Sequence, residues 1–374
     1  MAMRRTTLIA LSAAAVGVAA AGGGVALAAR SGRNSWQRAQ AEVRRPPGRG
    51  LAGMAARHEL VRLATLAANS HNSQPWRFVA EEARIVVLPD LARRLPAVDP
   101  DDHHLFASLG AAVENIVLAA PLLGLLAAPH FVSDNGGRID IRLTTAAEAG
   151  SPLAAAIALR QCTRAAYGVR PVAAADLAAL EAAGSLDGVR IALLTARPAL
   201  DAIAEQVVAG NTVQMRDPAF MAELIAWLRF SYSDAVATGD GLFAATTANP
   251  VLPSWLARPM LGLMFTEAAE NAKYRAHMAG SAGVAVFAAA TDTPAGWVAA
   301  GRAYQRFALQ ATALGLRHAF VNQPVEVASL RAGFAALVGL GGRRPDLVVR
   351  FGHGDALPYA LRRPVAAVLA SGPA

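Results

Sequence analysis

Cysteine is almost missing from this chain. Among 374 residues there is one, Cys162, which excludes an internal disulfide and any multi-cysteine zinc or iron–sulfur site within one chain. Lysine is also reduced to one residue, Lys273, against many arginines, a bias that reads as genomic rather than functional. Away from the N-terminus, net charge is missing too. Residues 1–57 carry nine arginines (Arg4, Arg5, Arg30, Arg33, Arg38, Arg44, Arg45, Arg49, Arg57) and one acid, Glu42, which already equals the net charge of +8. The other 317 residues therefore balance at zero, and a neutral body is no nucleic-acid-binding surface. There is no G-x-S-x-G elbow and no Walker loop; the three glycines at 22–24 fall in the N-terminal leader.

What is present is an Ala-rich chain long enough for one large or two ordinary domains, with helices expected to dominate. Arg4 and Arg5 precede an apolar run from Leu8 to Ala29, with Ala26-Leu27-Ala28 as a small-x-small cleavage candidate. The paired arginines and Ala/Gly-rich run resemble a twin-arginine export signal. The run is also long enough to span a bilayer if it is not cleaved. An exported protein, a protein anchored by residues 8–29, and a cytoplasmic protein with an unusual N-terminus all remain open. Residues 31–50, rich in Arg, Pro, Gly, Ser and Gln, read as a mobile linker.

Strands are expected at Arg84–Leu88, Arg138–Leu143 (strictly alternating), Val189–Leu194, Val284–Phe287 and Leu347–Phe351, with helices between them. Asp99-Pro100 can cap a helix carrying His103 and His104, and Asp217-Pro218 reads as a second helix start. Residues 110–125 (GAAVENIVLAAPLLGL) and 301–316 (GRAYQRFALQATALGL) agree at seven of sixteen positions, and each leads to an apolar, strand-like piece. This reads as an internal duplication. Residues 233–278 mix Gly, Pro, Thr and apolar residues without a lasting period, as a surface excursion or a lid over a ligand site would.

The densest set of polar donors lies at Ala67–Phe78, A-A-N-S-H-N-S-Q-P-W-R-F. An amphipathic stripe (Leu60, Leu63, Ala64, Ala67) runs into it, and Asn69, Ser70, Asn72, Ser73 and Gln74 follow within six residues. Such a loop can aim several donors at one rigid polar ligand. It resembles the S-S-x-N-x-Q-P-W loop of the FMN-dependent nitroreductase family. With the internal repeat, the chain is similar over nearly all of residues 58–368 to the Acg-type branch, a fused pseudo-dimer.

The resemblance implies an α+β nitroreductase fold, duplicated within one chain, with small mixed sheets flanked by many helices. With the leader read as a signal or anchor at 1–33 and a linker at 34–56, it implies a first half at 57–150 and a second half at 151–374 with the insertion 233–278 as lid. It implies FMN as cofactor. Arg160, Cys162 and Arg164 resemble the family's R-x-S/T-x-R/K start, which grips phosphate, ribityl and ring edge; Cys162 stands where a hydroxyl is expected. Arg362 and Arg363 match the family's basic phosphate ligands. Gln323-Pro324-Val325-Glu326 resembles the P-[MI]-E-G segment beside the flavin ring, with Val327 in place of the glycine. Ser70, Asn72 and Gln74 would close the site from the other half. No second copy of either motif is found, so one flavin per chain is expected. The function implied is an oxidoreductase working through flavin N5, with a small-molecule electron donor and acceptor. The alternative is a lidded, non-enzymatic FMN-sequestering protein, since an exported chain would not meet NAD(P)H; a third is a membrane-tethered scaffold with a decayed flavin site. No catalytic side chain is named. No metal site is expected: Asp101-Asp102-His103-His104 offers ligand types, but adjacent helical residues point in different directions.

Overall fold

A computed structural model describes residues 30–370. The leader, with its paired arginines, apolar run and cleavage candidate, lies outside the described residues. Residues 30–43 form helix α1 rather than the open linker expected. Composition suggested a linker because the partners of this segment are distant in sequence: Trp36 is buried against Tyr232 and Phe243, about 200 residues on, at ring-centroid separations of 5.6 and 5.8 Å.

The next segment contains α2 (Gly53–Thr65), β1 (Trp76–Ala80), β2 (Arg84–Pro89), α3 (His103–Ala119), β3 (Leu125–Val132) and β4 (Arg138–Thr145). After it come α4 (Pro152–Ala156), α5 (Ala174–Gly184), β5 (Val189–Leu194), α6 (Arg197–Arg216) and α7 (Pro218–Trp227). The insertion region holds β6 (Leu228–Arg229), α8 (Tyr232–Thr238), β7 (Leu242–Phe243), α9 (Ser254–Met264) and α10 (Glu267–Ala279). The chain ends with β8 (Gly283–Ala289), α11 (Pro294–Ala313), β9 (Arg317–Phe320), α12 (Gln323–Glu326), α13 (Arg331–Leu337), β10 (Leu347–Gly352) and α14 (Val365–Val368).

Two four-stranded antiparallel sheets result, ordered β1-β2-β4-β3 and β5-β8-β10-β9. Counted within its own half, each order is 1-2-4-3, with a long helix between the second and third strands. Those two helices, α3 and α11, pack against each other. A methyl group on Gly110 would lie 2.0 Å from the Val298 carbonyl oxygen, and one on Gly301 would lie 1.9 Å from that of Ala107. In the sequence repeat, Gly110 aligns with Gly301 and Ala107 with Val298, so the two contacts are the same contact seen from either side. That is the geometry of a two-fold interface, here within one chain. Polar groups fix the seam: Gln305 Nε2 donates to Asn115 Oδ1, and Glu114, fully buried, accepts from Arg302 and Arg306.

Burial explains the two strand patterns. The first sheet buries one face (Phe78, Ile85, Val87, Ile139, Ile141) against α2 and α3, hence the alternation along β4. The second is covered on both faces, by Tyr304 and Phe307 of α11 on one and by α6, Met278 of α10 and Phe334 of α13 on the other. Every residue of β8 is buried, and its sequence is a continuous apolar run. The insertion is more regular than expected. Helix α10 is capped by Thr266, whose side chain accepts from the Ala269 amide, with Glu267 and Glu270 in its first turn. The prolines and glycines on either side masked that signal. The C-terminal tail crosses to the first half, where the Ala370 amide donates to the Phe78 carbonyl.

Candidate functional site

The 67–75 loop sits where the halves meet, and its backbone is unusual. His71, Asn72 and Gln74 have φ of +49°, +53° and +53°, left-handed values that non-glycine residues adopt at a cost of about 1–2 kcal/mol each. The surroundings enforce them. Asn69 Oδ1 accepts from the Gln74 amide at 2.8 Å, and Asn72 Nδ2 donates to the carbonyls of Gly241 and Leu361. Strain held in this way concentrates at ligand sites. Three adjoining cavities open beside the loop, and Asn69 lines all of them.

The first of these is a small pocket walled by Arg44, Arg160, Arg164 and Arg362, with Asn72, Gln161 and Cys162 and no carboxylate. Arg160, 2% exposed, donates to the Leu66 carbonyl, while its Nε is buried without a partner among the described residues. Arg362 donates to the carbonyls of Thr65 and Ala67 and to Asn72 Oδ1. Burial, and then the Arg160 charge, push its pKa down to about 9. Burial opposes ionisation of Cys162, but His318, Arg160 and Arg164 together hold its thiol well below the ordinary range. Its Sγ accepts from Arg160 Nη1 at 3.6 Å. Concentrated positive charge with unsatisfied donors, away from solvent and from acids, is a site for an anion.

The second cavity is larger. Arg164, His71, Tyr274, His277, Gln323 and Glu326 line it, and the insertion contributes Leu242, Thr247, Asn249 and Phe265. Burial, the Arg164 charge and His104 push His71 down to about 4, so its imidazole is neutral at pH 7; its Nδ1 has no partner among the described residues. Burial pushes Tyr274 up to about 12. The third is a small, mostly apolar slot where Ala107, Ser108 and Ala111 of α3 face Tyr304 of α11, Phe320 of β9 and Leu347 of β10. Together they offer a cationic end, a polar chamber and a small apolar slot.

The structure gathers Ser70, Asn72, Arg160, Cys162, Arg164, Gln323, Glu326 and Arg362 around these cavities. It places the other candidates elsewhere. Gln74 is fully buried, donating to the Gly239 carbonyl and accepting from the Arg363 amide. Arg363 turns toward Asp90 and the Ala367 carbonyl. Val325 packs in the core with Phe334 and Val348, and Pro324 is buried in the same turn. In this segment the amides of Val325 and Glu326 both donate to the Asn322 carbonyl. The segment coils into α12, and the Val327 amide, at the position of the family glycine, donates to the Gln323 carbonyl. Arg44, Asn69, His71 and Tyr274 line the site without having been singled out as ligands. Asn69 was named among the loop's donors without a role of its own, and the Arg44-Arg45 pair was absorbed into the leader's charge.

No family model matches the chain. Two proteins of Mycobacterium tuberculosis strain H37Rv, each named a putative NAD(P)H nitroreductase, do match along most of their length. One is 28% identical over 318 residues, 82% of this chain and 89% of its own. The other, named acg, is 25% identical over 317 residues, 82% of this chain and 92% of its own. The chain is thus similar along most of its length to proteins named putative NAD(P)H nitroreductases, one of them acg. Among solved nitroreductases, the FMN-dependent NfnB of Mycobacterium smegmatis, in complex with NADPH, aligns with 54% of this chain and 86% of its own at 17% identity and a TM-score of 0.36. A nitroreductase with bound FMN from Desulfitobacterium hafniense aligns with 58% and 95% at 14% identity and the same TM-score.

Proposed function

We propose that this protein is an FMN-dependent oxidoreductase of nitroreductase type that binds its cofactor across the seam between its halves. The carrying observation is the carboxylate-free pocket in which Arg160, Arg164 and Arg362 converge, with the buried Arg160 Nε left for an acceptor. Those arginines would hold the phosphate, because a planar fork matches phosphate oxygens. Asn69, Ser70 and Cys162 border the path from the phosphate end toward the larger cavity and the slot. The slot of Ala107, Ala111 and Tyr304 suits one face or edge of a ring system, and the larger cavity leaves room for a second reactant. When bound, the flavin supplies the redox chemistry, accepting and donating hydride at N5. His71, neutral at pH 7 and lining the larger cavity, can present a hydrogen-bond donor there without adding a charge.

A second reading, a lidded flavin-sequestering protein, rests on the insertion. Its residues Leu242, Thr247, Asn249 and Phe265 wall the larger cavity and would restrict access to it. Export by the leader, also proposed, favours that reading, since an exported protein would meet little NAD(P)H.

The test is direct. Protein purified without residues 1–29 should carry, or take up, one FMN, read by visible absorbance and fluorescence quenching. Arg160→Ala removes charge-assisted bonds worth roughly 1.5–3 kcal/mol and should weaken FMN about 10- to 100-fold. A colourless protein that refuses added FMN would sink the proposal. Anaerobic bleaching by NAD(P)H separates the two readings: rapid bleaching supports the oxidoreductase, and a flavin that stays oxidised supports the sequestering protein.

A further inference from the structure

The charged pocket has a wall that belongs to neither half. Arg44 follows α1, ahead of the first half, and reaches into the pocket beside Arg160 and Arg362. We propose that Arg44 is a direct ligand of the cofactor's terminal phosphate, so that the segment before the duplicated body completes the binding site. This rests on the FMN reading above.

Three observations support it. The first is how firmly Arg44 is placed. Arg62 donates to the Val43 carbonyl at 2.7 Å, and Glu59 accepts from the Gly48 amide at 2.7 Å and from Arg45, so the chain is pinned on both sides. Trp36 anchors the preceding helix against Phe243 and Tyr232. The second is the posture of the guanidinium. Nη1 donates to the carbonyls of Ala158 and Arg160 at 2.8 and 2.9 Å, and the plane lies over the Tyr359 ring, 4.0 Å from its centroid. Tyr359 is itself held by its hydroxyl, which donates to the Leu159 carbonyl at 3.1 Å. With Nη1 occupied, the side chain keeps its Nε edge, which binds oxyanions through two parallel bonds. That Nε is buried without a partner among the described residues.

The third observation is that Arg44 is not alone in this. Arg160 and Gln161 line the same pocket, and Arg160 Nε and Gln161 Nε2 are likewise buried and unpartnered among the described residues. A single orphaned donor is an isolated cost, whereas three on residues of one carboxylate-free pocket suit an anionic acceptor. Burial, then Arg362 and Arg160, push the Arg44 pKa well down, and a phosphate dianion would offset the repulsion among these arginines.

The experiment compares FMN with riboflavin, which lacks the phosphate, on wild type, Arg44→Ala and Arg44→Lys, with far-UV circular dichroism checking the fold of each. Loss of a charge-assisted phosphate contact should weaken FMN about 10- to 100-fold in Arg44→Ala and leave riboflavin unchanged. Arg44→Lys, which keeps the charge without the fork, should fall between. Equal losses for FMN and riboflavin would make Arg44 a structural strut and overturn the proposal, as would no loss for either. Thermal stabilisation by inorganic phosphate separates this failure from that of the FMN reading. If wild type refuses FMN but phosphate raises its Tm and does not raise that of Arg44→Ala, Arg44 is upheld as an anion ligand and the FMN reading falls. If neither FMN nor phosphate acts on wild type, both fall.

Discussion

At the scale of single residues, Glu59 connects stability to the site. Its carboxylate is almost wholly buried on α2 and receives the Gly48 amide, Arg62 and Arg45. Burial alone would raise its pKa, but these donors outweigh it and hold the pKa at about 2. Between pH 4.5 and 2 the unfolded chain takes up this proton while the folded chain resists it, so stability is lost as pH falls through that window. The full shift corresponds to about 3 kcal/mol; the partner Arg45 is 42% exposed, and screening there brings the expectation to on the order of 2 kcal/mol. Urea denaturation should therefore show Glu59→Gln less stable than wild type at pH 7 by that amount, with a flatter profile below pH 4.5. A parallel profile would mean that this carboxylate is not the one being titrated. Residues like Glu59 are hard to read from sequence because their role depends on partners: nothing local distinguishes it from Glu42. The ligand candidates divide the same way. Arg160, Arg164 and Asn72 occupy motif positions and line the charged pocket, whereas Gln74 and Arg363 occupy motif positions and turn elsewhere because Gly239 and Asp90 lie within reach.

At the scale of elements, the seam between α3 and α11 makes the sharpest demand on sequence. A methyl group at Gly301 would lie 1.9 Å from the Ala107 carbonyl oxygen and 2.6 Å from its carbon, and backbone cannot step aside as a flexible side chain can. Gly301→Ala should cost about 3 kcal/mol by overpacking, despite the better helix propensity of alanine. Gly333→Ala is the control. It lies in α13 with nothing within 4 Å of the added carbon, and should gain up to about 1 kcal/mol from propensity. Thermal melts decide: equal Tm values for the two variants would mean the helices cross less closely. The elements that sequence reveals are those with a strong local signal. The predicted strands all form, because period-two or continuous apolar runs reflect one- or two-sided burial. Helix α1 and the insertion helices escaped for the opposite reason, since their ordering rests on distant contacts such as Trp36 with Phe243.

At the scale of the whole molecule, duplication supplies two equivalent places and the side chains leave one open. The open slot is lined by Ala107, Ser108 and Ala111 of α3 and by Tyr304 of α11. The sequence repeat maps these onto Val298, Ala299 and Arg302 of α11 and Val113 of α3. Where the open slot has the methyl group of Ala111, its counterpart has the side chain of Arg302, ion-paired at 2.8 Å with the fully buried Glu114, which also binds Arg306. The second slot is therefore occupied by the protein's own ion triad, and its counterpart of the arginine pocket is missing from the sequence. This predicts a stoichiometry of one FMN per chain at saturation, measured by calorimetry against a protein concentration from amino-acid analysis. Removing both arginines (Arg302→Ala with Arg306→Ala) should leave the stoichiometry at one. It should cost about 3–5 kcal/mol, because Glu114 would then be a buried charge without a partner. Two flavins per wild-type chain would show that the repeat retained both sites and that the Arg302 side chain yields to a ligand. One flavin would mean that the second half keeps its copy of the fold to build the seam, contributing Arg160 and Arg164 to a site whose other wall belongs to the first half.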